Sequence, residues 1–326
     1  MNTILKLKKA NLLGRGGAGF PTWLKWKLVK KAKAEKKFVI CNAAEGEPGV
    51  FKDGFLLENF PEEVINGIII AMKEVGAEKG YIYLNPLYFE KHKNRLKKII
   101  GKTQIIIFKK GKGYIAGEET ALCEVIEGKR AEPRNKPPYL SEKGLFGFPT
   151  LVNNVETFYC VSKICKGEYK HDRFYSISGD VKKPGVFQLP ESMTIAEVLK
   201  TTGNYPNFDF YIQSGGGASG EVLLKEELER PVSGAGSITV YNKEKTDPFT
   251  LMEKWVDFFM EGNCDKCVPC REGLFRLKQM IEKKDLNKDV LSEIFFSLSE
   301  ASFCSLGKGA VVPFRSFLKK IMNIEA

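Results

Sequence analysis

Phe38-Val39-Ile40-Cys41-Asn42-Ala43 is an apolar run that passes directly into a polar one, Ala44-Glu45-Gly46-Glu47-Pro48-Gly49. A short continuous apolar run reads as a strand buried on both faces. Polar groups at the carboxyl end of such a strand are where α/β sheets bind ligands. Working outward, Pro61 to Val75 predicts a helix, opened by its proline and closed by Gly76. Tyr81 to Leu84 predicts a second strand, Tyr88 to Ile100 a second helix and Gln104 to Phe108 a third strand. Strands alternating with helices imply an α/β domain with a largely parallel sheet, here over residues 1–172.

The pattern changes after about residue 172. Tyr175 to Ser178 and Gly185 to Leu189 read as strands around the turn Asp180 to Pro184. A helix over Thr194 to Lys200 follows, with Thr194 and Glu197 spaced as a capping box. Tyr211-Ile212-Gln213 and Ile238 to Tyr241 add strands. Residues 173–245 therefore predict a small α+β unit of the β-grasp kind. From Asp247-Pro248, an N-cap followed by proline at the first helical position, the chain reads as helical to its end. Apolar stripes over 246–326 mark four helices: Leu251, Met252, Trp255, Phe258 and Phe259; Leu274, Leu277 and Ile281; Val290, Ile294 and Leu298; and Val311, Phe314, Leu318 and Ile321.

Eight cysteines are present, and four are arranged for metal chemistry. Cys264, Cys267 and Cys270 form C-x2-C-x2-C where the first two of these helices join, and Cys304 lies where the last two join. Three thiolates at i, i+3 and i+6 with a remote fourth match the ligand demand of a [4Fe–4S] cluster. Zinc is the rival, although it usually takes two separated cysteine pairs or histidines, and the chain has only His92 and His171. The other four cysteines read as small buried hydrophobes.

Composition bounds the rest. The 326 residues, 43% hydrophobic and 28% charged, are those of a globular chain with ample core. The longest apolar run, Ile65 to Met72, is broken by Asn66 and Gly67, far short of the about 20 residues of a membrane span. No secretory signal opens the chain, so a cytoplasmic location is expected, at the inner face of a membrane through partner subunits. The net charge is +11, and Lys25 to Lys37 holds seven lysines. That run reads as the solvated face of a helix whose buried stripe is Trp26, Leu28 and Val29. No nucleic-acid motif accompanies it.

Gly14-Arg15-Gly16-Gly17-Ala18-Gly19 is literally G-x-G-x-x-G. It lacks the preceding strand and following acidic residue of a standard dinucleotide fingerprint. Such a loop still lets backbone N–H groups approach a phosphate or flavin, the alternative being a plain surface turn. Further polar knots occur at Tyr114 to Thr120, Lys136-Pro137-Pro138-Tyr139 and Pro149 to Thr157.

Taken together, GRGGAGFPT (Gly14–Thr22), EPGVFKD (Glu47–Asp53), GYIAGEETAL (Gly113–Leu122), KPPY (Lys136–Tyr139), PTLVNNVET (Pro149–Thr157), CDKCVPCREG (Cys264–Gly273) and FCSLGKGA (Phe303–Ala310) resemble the NADH-binding flavoprotein subunit of respiratory complex I and NAD-linked hydrogenases. The resemblance implies a Rossmann-like α/β domain holding FMN, a ubiquitin-like β-grasp domain and a C-terminal helical bundle with a [4Fe–4S] cluster. It places the flavin by Gly14, Gly16, Lys25, Asn42, Glu45, Tyr114, Gly117, Glu118, Val152, Asn153 and Asn154. It places NAD(H) by Gly17, Phe20, Glu47, Glu119, Lys136 and Tyr139, and the cluster on Cys264, Cys267, Cys270 and Cys304. The implied reaction is hydride transfer from NADH to FMN, then single electrons to the cluster and on to iron–sulfur partner subunits, including a thioredoxin-like [2Fe–2S] subunit. No side-chain nucleophile is expected.

The chain departs from the family pattern at a few positions. Trp23 stands for glycine, Leu28 for an aromatic, Ala44 and Gly46 for aspartate and serine, and Tyr139 for phenylalanine. The indole of Trp23 is expected either to stack on the dinucleotide or to fill its space. If it fills that space, the same flavin and cluster would take electrons from a small acidic donor such as flavodoxin or ferredoxin, which the positive charge suits. A non-catalytic assembly subunit is the third reading.

Overall fold

The computed structural model describes residues 2–326. The chain divides into two compact units. The first takes in the residues up to Gly46, Phe51–Lys112 and Ala116–Phe174; the second takes in Glu47–Val50, Gly113–Ile115 and Tyr175–Ala326.

The elements of the first unit are α1 (Thr3–Lys9), α2 (Thr22–Lys31), β1 (Phe38–Ala43), α3 (Lys52–Asn59), α4 (Pro61–Val75), β2 (Lys79–Leu84), α5 (Pro86–Ile100), β3 (Ile105–Lys109), α6 (Ala121–Ile126), β4 (Thr150–Asn154) and α7 (Val155–Lys166). The four strands form a parallel sheet of order β3-β2-β1-β4. The chain runs outward from β1 through β2 to β3, then returns to place β4 on the other side of β1. That reversal makes β1 and β4 a topological switch point, with a crevice at their carboxyl ends. Phe38, Ile40, Tyr81, Tyr83 and Val152 on the strands pack with Leu122 and Cys123 of α6 into a buried core.

Two sequence expectations for α2 change. The helix stops at Lys31, and Leu28 is 45% exposed while Trp26 and Val29 are fully buried. Positions three apart share a helix face, whereas Leu28 lies two beyond Trp26 and roughly 200° around. Trp23 is similarly two residues from Lys25. Its indole lies 5.0 Å from the Lys8 ammonium of α1 and 6.0 Å from that of Lys27.

The interruption of the apolar run in α4 has a packing cause. Asn66 donates to Ser162 Oγ of α7 at 2.9 Å. At Gly67 the two helices approach so closely that a Cβ would lie 2.0 Å from the Phe158 carbonyl oxygen.

The second unit contains β5 (Asp172–Gly179, entering from the first unit), β6 (Gly185–Pro190), α8 (Ile195–Thr201), β7 (Phe210–Ser214), β8 (Glu221–Leu224), β9 (Ser237–Asn242), α9 (Pro248–Gly262), α10 (Leu274–Glu282), α11 (Lys288–Ala301) and α12 (Ser305–Ile321). Its sheet has the order β6-β5-β9-β7-β8, with β5 and β9 parallel and β7 antiparallel to both of its neighbours. Ile195, Val198 and Leu199 of α8 pack on Tyr175, Ile177, Phe210, Ile212, Ile238 and Val240, which is the β-grasp layout. The expected capping box is present, with Glu197 N donating to Thr194 Oγ1 and Thr194 N to Glu197.

The C-terminal helices pack on the β-grasp sheet within the second unit. Val222 N of β8 donates to Ser316 Oγ of α12 at 2.9 Å, and Lys320 of α12 bonds the Val222 carbonyl. Trp255 Nε1 donates to the Gly217 carbonyl while its ring packs on Phe314 and Phe317. Among the described residues no helix is long and apolar enough to cross a membrane.

Replacing Gly67 by alanine should cost about 3 kcal/mol, because the added methyl group forces α4 and α7 apart. Chemical denaturation of Gly67→Ala beside wild type measures the loss; an unchanged midpoint would contradict the packing described.

Candidate functional site

Sequence and sheet order bring the predicted residues of the first unit to one place. Asn42 ends β1, Asn153 and Asn154 end β4, and the pairs Cys41–Asn153 and Asn42–Asn154 lie side by side in the sheet. The glycine-rich loop passes beside them, since a Cβ on Gly16 would sit 3.2 Å from that of Asn154. Gly17 and Gly19 have φ of 111° and 62°, and nothing lies within 4 Å of where their side chains would be. The loop therefore presents open backbone at the switch point, a cradle that side chains would fill. Gly14 closes its base by donating to the Phe20 carbonyl at 2.9 Å.

Most polar side chains here are held by the protein itself. Asn42 donates to the Gly117 carbonyl at 2.8 Å and accepts from Ala44 N. Asn153 accepts from the buried Trp26 indole at 2.9 Å. Glu118 caps α6, accepting from Thr120 N at 2.7 Å and Ala121 N at 2.9 Å. Glu119 is gripped by two cations, with Lys25 Nζ at 3.0 Å and Lys136 Nζ at 3.1 Å. Burial pushes the Glu119 carboxyl up, but the two lysines outweigh it and hold it below the ordinary range. Lys25 also donates to the Val152 carbonyl at 3.2 Å and lies 6.0 Å from the Phe20 ring. Phe20 and Tyr139 are exposed, as groups that meet a ligand would be.

Trp23 does not enter this arrangement. Lys25 faces Glu119 and Val152, so the Trp23 ring, engaged by Lys8 and Lys27, is turned toward α1. Neither stacking on a dinucleotide here nor filling its space follows.

Beneath the loop lies a buried ionic network that the sequence reading did not single out. Lys52, 1% exposed, bonds Asp53 at 2.7 Å, Glu156 at 3.1 Å and Asn154 Oδ1 at 3.1 Å. Asn154 in turn donates to Asp53 at 2.6 Å. Glu45 accepts from Asp53 N, Gly54 N and the Tyr88 hydroxyl. Burial, then the Asp53 charge, raises the Glu45 carboxyl to about 7. The available signal was Lys52-Asp53, two charges set between Phe51 and Gly54-Phe55-Leu56-Leu57.

Glu47 and Tyr114 belong to the second unit and bond one another there at 2.9 Å. Glu47 also accepts from Ser219 N at 2.7 Å, and Gly216 makes this possible because a Cβ there would meet the carboxylate.

Cys264, Cys267, Cys270 and Cys304 line one small pocket together with Ile115, Phe303, Leu306 and Gly307. Cys264 follows α9, Cys270 lies on the wide turn Pro269–Gly273 that runs into α10, and Cys304 is the N-cap of α12. None forms a disulfide. Burial and the crowding of the other three sulfurs push the Cys270 thiol up to about 12. Thiolates forced together in this way need a cation between them. Among the described residues no three potential ligands converge as one metal ion would require. Four cysteines lining one pocket match the ligand count of a [4Fe–4S] cluster. Behind Gly307, Ser302 Oγ is buried without a hydrogen-bond partner among the described residues.

Comparison with known proteins gives the family of both regions. Residues 7–163 match the Nuo51 FMN-binding domain, and residues 250–323 match the NADH-ubiquinone oxidoreductase-F iron-sulfur binding region. The chain is 34% identical to an F-type NADH-quinone oxidoreductase protein of Rhizobium meliloti, covering 96% of this chain and 85% of that one. It is 36% identical to the alpha subunit of the NAD-reducing hydrogenase HoxS of Cupriavidus necator, over 97% of this chain and 58% of that one. A crystal structure of an NAD+-reducing [NiFe]-hydrogenase in the H2-reduced state superposes with a TM-score of 0.88 at 32% identity, covering 97% of this chain and 60% of that one.

Two outcomes are expected. Cys304→Ala and Cys267→Ala should each lose most of their iron, measured by metal analysis after anaerobic purification; unchanged iron in either would refute the ligand set. Glu45 has a folded-state value near 7 against an ordinary 4.5. Its protonated form therefore favours folding fully below pH 4.5, and that contribution is lost as pH rises toward 7. The stability of Glu45→Gln relative to wild type should climb across this window and level off above it. A difference that stays flat in denaturation curves from pH 4.5 to 8 would contradict the burial of this carboxyl.

Proposed function

This chain belongs to the F-type family of NADH-quinone oxidoreductase proteins, and on that premise we propose that it is the electron-input flavoprotein of a complex I-type or hydrogenase-type assembly. It oxidises NADH through FMN and delivers electrons through a [4Fe–4S] cluster. The observation that carries the reading is the open glycine loop at the β1–β4 switch point, above Asn42, Asn153 and Asn154. When bound, FMN takes two electrons as a hydride and gives them up singly, and the cluster carries one at a time.

The protein's part is placement. The loop Gly14 to Gly19 offers backbone to the flavin mononucleotide, with Asn154 beside it. Asn42 and Asn153 are fixed by Gly117 and Trp26, so the floor of the site keeps its shape. Lys25, Glu119 and Lys136 form an alternating charge row that takes the polar groups of the dinucleotide, with the exposed Phe20 and Tyr139 as faces for its rings. Glu119 stays ionised at neutral pH and orients rather than transfers a proton. Glu47, held by Tyr114 and the Ser219 amide, is likewise a fixed acceptor. Cys264, Cys267, Cys270 and Cys304 hold the cluster.

Electrons leave toward iron–sulfur partner subunits, among them a thioredoxin-like [2Fe–2S] subunit. Val268, 58% exposed, and Phe303, 38% exposed, supply apolar surface beside the cysteines for such a partner. Any membrane association runs through those partners.

Anaerobic addition of NADH to the protein reconstituted with FMN should bleach the flavin absorbance at one NADH per flavin. A flavin that stays oxidised with NADH yet is reduced by a flavodoxin or ferredoxin would replace the nicotinamide donor in this reading.

A further inference from the structure

Four lysines stand around the crevice of the first unit, and three are accounted for. Lys25 pairs with Glu119, Lys52 with Asp53 and Glu156, and Lys136 with Glu118 and Glu119. Lys110 is different. It follows β3 directly, and its backbone N–H extends the sheet by donating to the Leu84 carbonyl at 2.8 Å. Its half-buried side chain crosses the end of β2 and reaches the end of β1, where Nζ donates to the Ala44 carbonyl at 3.3 Å. Among the described residues that is its one side-chain hydrogen bond, and it has no ion pair there.

Carboxylates in the segments that follow β1 and precede α6 are committed elsewhere. Glu45 is turned to Asp53, Gly54 and Tyr88, and Glu118 to the start of α6 and to Lys136. Gly46 lies beside the ammonium, since a Cβ there would sit 3.4 Å from Lys110 Nζ. Burial alone, with no carboxylate to offset it, lowers the ammonium to about 8, so it remains a cation at neutral pH. A cation moved out of water with only a carbonyl for company is a cost that a ligand acceptor removes.

The sheet says which end of the cofactor it meets. The glycine loop comes to the β1 end from the β4 side, where Gly16 lies by Asn154. Lys110 comes to the same place from the β3 side. The two therefore flank the β1 end from opposite sides. With the phosphate of the mononucleotide at the loop, the opposite end is the isoalloxazine, whose pyrimidine edge carries two carbonyl oxygens and gains negative charge on reduction.

Resting on the flavin reading above, we propose that Lys110 is a positioning residue that places its ammonium at the pyrimidine edge of the flavin and favours the reduced cofactor over the oxidised one. Charge near the ring is one of the few means by which a protein tunes a flavin.

The test uses the full chain reconstituted with FMN and, separately, with riboflavin, comparing wild type with Lys110→Gln, Lys110→Met and Lys110→Arg at pH 7. Both neutral variants should still bind flavin at full stoichiometry. Each should lose about tenfold in the ratio of reduced to oxidised affinity, read as a two-electron potential about 30 mV lower by dye equilibration. Lys110→Arg should recover most of it, and the shift should persist with riboflavin, which has no phosphate. Equal potentials in wild type and both neutral variants would overturn the proposal. So would a loss of affinity that is the same for both redox states and vanishes with riboflavin, since Lys110 would then be a phosphate ligand. A wild-type chain that takes up neither flavin would overturn the flavin reading itself, and this inference with it.

Discussion

A lysine with almost no exposed surface holds the first unit together. Lys52 joins the start of α3 to Glu156 of α7 and to Asn154 at the end of β4. A buried ammonium survives only where carboxylates and hydrogen bonds replace its water, and removing one partner from such a set costs about 3–5 kcal/mol. The arrangement is therefore all or nothing, and the candidate site at the β1–β4 switch point hangs from it. Asn154, held by Lys52 and Asp53, is the residue against which Gly16 packs. Glu45, bonded to the amides that open α3, fixes the segment that follows β1. Glu156 further accepts from Phe174 N, tying the last residue of this unit to the same centre.

The second unit meets its constraint in a different way. Its four cysteines are gathered from the end of α9, the turn before α10 and the start of α12, and they crowd one another's charge if they ionise together. Burial opposes the thiolate of Cys270. Four sulfurs in one apolar pocket become favourable only with a metal centre among them. Cluster binding and the packing of these helices are thus coupled. Around Lys52 protein charges balance one another; at the four cysteines the balance is left to a cofactor.

Periodicity and caps made much of this legible before any coordinates. The limits of β1 and α4, the Thr194 capping box and the Asp247 start of α9 fall where local chemistry puts them. Each depends on residues within one or two turns of each other. The cysteine spacing was legible for the same reason. What was not legible depended on distant partners. Thr150 to Asn154 reads as a polar knot, yet it is β4, because its neighbours in β1 supply the pairing that its own composition does not advertise. A linear pattern misplaces Trp23 and Leu28, whose directions are set by α1 and by the face that Trp26 must bury. The packing of α12 on the sheet was not legible either, because Ser316 and Lys320, unremarkable in sequence, complete the edge of β8.

The acidic residues around the crevice of the first unit are all engaged by the protein itself. Glu118 is spent on the amides of α6, Glu45 on the amides of α3, and Glu119 on two lysines. A general acid or base must be free to exchange a proton with a substrate. Each of these carboxylates instead has its oxygens occupied by donors that would have to be displaced first. Such a site is poor at proton transfer by side chains but good at holding a rigid, charged outline. That is the division of labour expected where hydride and electron transfer belong to cofactors, and where the protein's work is to keep distance and potential constant through each turnover.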